Sequence, residues 1–171
     1  MSKLSRGALG ITLAALLAAC SQPTTGPPPA TDRCGEVEFP PVQFGSHLLG
    51  DTQPPIPYSS TPPTSGWHSS GSVPEGVPTQ PLSEPAQVSV LEAGGVVVTH
   101  NGLSDAELER LTATVAERFD DRVVLTPYGE IPAGSTAFTS WGALQICEGV
   151  DLEALTAYTA AYASPISPHD T

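Results

Sequence analysis

Four residues of this chain have the types needed to hold a metal ion between them: His47, His68, His100 and Glu92. Imidazole and carboxylate donors together suit borderline divalent ions such as copper and zinc, and a site needs three or four of them at about 2.0–2.2 Å from one ion. Their spacing is irregular, with no HxxxH or CxxC pair, so only the fold can bring them together. His47 and His68 fall in a Pro-rich stretch, while Glu92 and His100 end successive apolar runs. Glu92 has an alternative use: a carboxylate buried beside an apolar strand is expected to accept hydrogen bonds from backbone amides or from Thr64 or Ser65, pinning that stretch to the core. Nucleophilic catalysis has no comparable support, since the chain carries no GxSxG elbow, P-loop or dinucleotide fingerprint. Trp67 and Trp141 can offer a sugar-stacking platform, but packing is the commoner use of such residues.

The three cysteines divide by position. Lys3 and Arg6 precede an uncharged stretch from Gly7 to Ala19, followed at once by Cys20 and a run of Ser, Pro, Thr and Gly. That is the profile of an export signal. Thirteen helical residues reach only about 20 Å, short of the roughly 30 Å hydrocarbon core, so the stretch is not a spanning helix. Leu17-Ala18-Ala19-Cys20 resembles the lipobox of bacterial lipoproteins, which makes Cys20 the expected lipidated residue and the first of the mature chain. Two or three acyl chains, palmitate among them, anchor a protein stably where one does not. Cys34 and Cys147 are then an even pair in a compartment that permits disulfides, and one bridge between them is expected.

Charge excludes one class of partner. Six basic residues stand against 18 acidic ones, a net charge of −12, and loss of the leader leaves only Arg33, Arg110, Arg118 and Arg122 as cations. A polyphosphate would meet repulsion over most of such a surface, so nucleic acid is not an expected partner. Anionic lipid heads would repel it too, leaving the lipid to hold it at the membrane.

The elements that must position the candidate ligands follow from pattern. Residues 1–19 read as the signal peptide, 20–33 as the lipidated Cys and a disordered tether, and 164–171 as a flexible tail. Residues 34–163 form one domain, in which 34–87 are a Pro-rich wrap and 88–163 the core. Nine prolines between residues 51 and 86 deny that segment a helix or a regular ladder. Val88-Ser89-Val90-Leu91 alternates and Val96-Val97-Val98 is a β-branched run, so both are predicted strands. Ser104 and Glu107 make a capping box for a helix of about 15 residues carrying Leu108, Leu111, Val115 and Phe119 on one face. Residues 122–126 are a predicted strand. Residues 137–147 are another, with a bulge at Gly142, and Asp151 caps a last helix. The result is α+β: roughly four strands with two helices on one face, and the Pro-rich irregular wrap over part of the rest.

Pro62-Pro63-Thr64-Ser65-Gly66-Trp67-His68 is a specific run for a turn-rich segment. Together with Val88 to Gly95, the Val-rich strand, Leu103 to Glu107, Val124 to Tyr128 and Ser140-Trp141-Gly142, it resembles the bacterial family known as domain of unknown function 3105. The likeness runs from about Val42 to Tyr162. It marks Pro62, Pro63, Thr64, Ser65, Gly66, Leu91, Gly94, Gly95 and Trp141 as structural positions, and implies export or membrane anchoring. The family pattern has histidines on both sides of its Leu-Glu pair, where this chain has Ser89 and Ala93.

These readings converge on a lipid-anchored module of the bacterial cell envelope, outside the cytoplasm, with a binding or structural role and no activity of its own. Its partners are the membrane, through the anchor, and envelope proteins. No cofactor is demanded by any motif, and the alternative is an envelope lipoprotein that binds copper or zinc. A hydrolase of envelope polymers comes third.

Overall fold

The computed structural model describes residues 26–50, 52–119 and 121–164. Cys20, the leader, the first part of the tether and the tail from residue 165 lie outside them. The architecture is α+β, and the wrap contains more regular structure than its prolines suggest. It opens with β1 (Phe44–Leu48) and β2 (Gly66–Ser69), which pair in parallel with a register irregularity between Phe44 and His47. Then come α1 (Glu84–Glu92), β3 (Val96–Asn101), α2 (Asp105–Arg118), β4 (Val123–Pro127), β5 (Ser135–Ser140), β6 (Ala143–Glu148) and α3 (Leu152–Tyr162). The main sheet has the order β4-β3-β5-β6. Its β3–β4 pair is parallel, with α2 as the crossover, and its other pairs are antiparallel.

Two expectations are corrected. Val88 to Leu91 is helix, not strand, because Ser83 caps the amide of Ala86 and a proline stands in the first turn. Val88, Ser89, Val90 and Leu91 are all buried, so α1 is covered on several sides and shows no helical stripe for a periodicity argument to find. Residues 137–147 are two strands rather than one bulged strand. Trp141 and Gly142 make the two-residue turn between β5 and β6, and Gly142 takes φ +74° there, a conformation that favours glycine. The two corrections offset each other, which leaves the sheet at four strands.

Alternation along β3 divides the core. Val96 and Val98 face α2 and α3 with Leu111, Val115, Phe138, Leu155 and Tyr158, while Val97 and Val124 meet Val90 and Leu91 of α1 on the opposite face. The capping box at Ser104 and Glu107 is present, and Asp151 caps α3 by accepting from the amides of Glu153 and Ala154.

The wrap reaches both edges of the sheet. Residues Cys34 to Glu38 run antiparallel along β6, with Glu38 and Leu144 exchanging backbone hydrogen bonds and Cys34 bonded to Cys147. Gly76 accepts from the amide of Leu125 on β4. Covered edges do not template pairing with other chains.

Candidate metal centre

Hydrogen bonds from several parts of the wrap and from the β5–β6 turn define the course of PPTSG. The Ser65 hydroxyl accepts from the Gln43 amide at 2.9 Å, Thr64 Oγ1 lies 3.2 Å from Ser60 Oγ, and the Thr64 carbonyl accepts from Gly142 in the β5–β6 turn. The Thr61–Pro62 peptide is cis. The Gln43 side chain donates to the Pro57 carbonyl and accepts from the Ser59 amide, so this residue, through backbone and side chain together, ties residues 57–59 and Ser65 to the start of the wrap. The Tyr58 hydroxyl donates to the Trp67 carbonyl at 2.6 Å and fixes β2 from outside. Burial and the nearby Glu84 carboxylate push that hydroxyl above its ordinary range, so it stays a donor.

The turn that follows delivers His68 into the interior. Its side chain is buried between β1 and α1, with Ser89 of α1 donating to the Ser69 carbonyl beside it. His68 Nδ1 lies 2.9 Å from the Gly66 carbonyl oxygen. A carbonyl only accepts, so Nδ1 carries the hydrogen and the neutral ring has its lone pair on Nε2. That Nε2 is buried and makes no hydrogen bond in the proper direction, yet lies 2.8 Å from Glu92 Oε2. A lone pair and a carboxylate oxygen at that distance repel unless a proton or a cation joins them.

Glu92 is the last residue of α1, at the negative end of the helix dipole, and no basic residue occupies the last turn. Its side chain is one-third exposed, which corrects the expectation that the carboxylate is enclosed. His47, on β1, is exposed and sets its ring edge-on to that of His68, with centroids 4.6 Å apart. Ligand atoms of His47, His68 and Glu92 all lie within 4.8 Å of one another. Bonds of about 2.0–2.2 Å allow two donors on one ion to be at most about 4.4 Å apart, so small rotations of the two exposed side chains complete the set around the fixed His68.

His100 does not join them. It shares the α2 and α3 face of β3 with Val96 and Val98, opposite the face that α1 covers, and is paired with Pro127 and Thr136 in the sheet. Partial burial lowers its affinity for a proton. Leu91 and Gly95 are buried at the α1–β3 turn, with Gly94 half-buried beside them. Trp141 is exposed on the opposite hairpin turn. Ser89 and Ala93 are one helical turn apart on the side of α1 that bears Glu92. Gly45 went unremarked in the sequence, although it lets β1 approach the backbone of Gly66 and so places His47 beside His68; a glycine within an otherwise alternating run was the available signal.

No helix among the described residues is long and apolar enough to cross a membrane. No curated protein and no solved structure matches the chain. A family model described as protein of unknown function (DUF3105) matches residues 51–171, a span that includes His68 and Glu92 and leaves out His47. Matching well over half of its length, the chain belongs to the DUF3105 family.

Proposed function

We propose that the chain is an exported, lipid-anchored binding module of the cell envelope that holds a divalent copper or zinc ion through His47, His68 and Glu92. The observation that carries the reading is the buried Nε2 of His68. It lies 2.8 Å from a carboxylate oxygen without a hydrogen bond to it, while the other ring nitrogen donates to a backbone carbonyl. Metal-bound histidines almost always donate their second ring hydrogen to such a carbonyl or to a carboxylate, which fixes tautomer and orientation. The helix C-terminus adds a field that favours a cation. Export is supported by the leader pattern before Cys20, and the Cys34–Cys147 bridge suits an oxidising compartment.

Calorimetry with copper(II) and zinc(II) on the full-length protein tests the site. One saturable equivalent is expected, weakened at least tenfold in His47→Ala and lost in His68→Ala. No saturable heat with either ion overturns the reading. Labelled palmitate incorporated by the native chain and not by Cys20→Ala tests the anchor separately.

The 2.8 Å approach of His68 to Glu92 favours a second reading, in which a proton joins the pair and pins β2 to α1 as a structural lock. That reading expects no bound metal and a wrap loosened by Glu92→Gln.

A further inference from the structure

Resting on the metal reading above, we infer that the ion keeps an open, solvent-facing coordination position and takes a small exogenous anion there. The inference follows from how the three donors are distributed. His68 is 2% exposed and approaches from the protein side, whereas His47 and Glu92 stand at the surface. The two imidazole rings are neighbours in edge-on contact, so an ion shared by them would take their nitrogens as neighbouring donors. Glu92 ends α1 and sets a carboxylate oxygen 2.8 Å from His68 Nε2.

Among the described residues, this cluster gathers two histidines and one carboxylate, with no fourth His, Cys, Asp or Glu in it. Structural zinc sites are closed by four protein ligands, while three-ligand sites keep a position for water or a substrate. Two neutral imidazoles and one carboxylate leave a dipositive ion with one net positive charge, so an anion is favoured over a neutral donor in the vacant position. The binding step is simple replacement of coordinated water by the anion, with no change of oxidation state.

Azide on the copper(II)-loaded full-length protein tests this. Copper retention after ultrafiltration is measured first. The expected result is a saturable new azide-to-copper charge-transfer band, with a shifted electron paramagnetic resonance spectrum and the copper still bound. His47→Ala, a surface change that leaves the core intact, is expected to lose one nitrogen's hyperfine contribution and to retain the azide band. Copper that stays bound with its spectra unmoved by azide overturns the open position, as does azide that strips the metal. A protein that retains no copper or zinc at all overturns the metal reading itself, and that result is read before azide is added.

Discussion

A methyl group on Gly45 would lie 2.2 Å from the backbone of Gly66, far inside contact distance and against atoms that cannot swing away. That close approach is what sets β1 on β2 and brings His47 beside His68, with the register irregularity between Phe44 and His47 located at the same place. Gly45→Ala is therefore expected to push β1 off β2 while leaving the main sheet folded, because the core clusters contain no residue of β1. Copper affinity should fall about as far as in His47→Ala. Calorimetry paired with far-ultraviolet circular dichroism checks it, and native affinity in the glycine variant would contradict the placement of His47.

The disulfide gives a second expectation. Cys34 and Cys147 are 113 residues apart, so their bond closes nearly the whole domain into one loop. In the chain-entropy model a loop of that size stabilises the folded state by at most about 5 kcal/mol. Replacing both residues with alanine should lower the urea midpoint accordingly and release the strand-like segment from Cys34 to Glu38 from β6 first. A midpoint shifted by less than about 1 kcal/mol would show that the bridge contributes little beyond what β6 already supplies.

Much of the fold was legible because its signals were local. Ser104 with Glu107, and Asp151 before Leu152, marked helix starts that the structure contains. Val88 to Leu91 misled because α1, buried between β2 and β3, covers its polar Gln87 and Ser89 as well as its apolar residues, so the run reads equally well as a buried strand. Gly142 was read as a bulge where it makes a turn, since both uses demand a glycine and parity change alone does not separate them. For the site, His47, His68 and Glu92 were recognisable by residue type, but which ones meet depends on contacts across many residues. His100 was excluded by the single-residue parity of β3, a fact invisible until the sheet faces were assigned.

Asp151 ties stability to pH. Its carboxylate accepts from the amides of Ala154 and Glu153 and from the Thr31 hydroxyl, and the Ala154 amide does most to hold it below the ordinary aspartate range. A carboxyl lowered on folding contributes stability that is present above the unfolded value, about 3.9, and is lost as pH falls through the folded one. Asp151→Ala should cost about 1 kcal/mol near neutrality, and the gap to the native protein should narrow below about pH 4. Asp151→Asn keeps a capping oxygen without the charge, so it should retain most of the cap while flattening that acid dependence. Urea titrations at a series of pH values read both effects, and a gap independent of pH would remove the charged cap from the account.

The metal site also predicts a mechanical effect, since its donors come from both parts of the domain. His47 and His68 belong to the wrap and Glu92 to the helix behind it, so one ion would staple the two together. An ion that binds only the folded state raises stability by RT ln(1 + [L]/Kd), about 2.7 kcal/mol at a hundredfold excess over Kd. For a domain of this size that corresponds to a rise in Tm on the order of 5–10 °C. Protease cuts between residues 51 and 86 should slow in parallel, because they lie in the segment that the staple holds down. Both effects should vanish in a His47→Ala, Glu92→Gln double variant, with metal-loaded and metal-free samples of that same variant compared, since both side chains contact His68 in the native fold. A stabilisation by copper or zinc that survives in the double variant would place the ion elsewhere in the molecule, and one that raises Tm without protecting the wrap would separate binding from the staple.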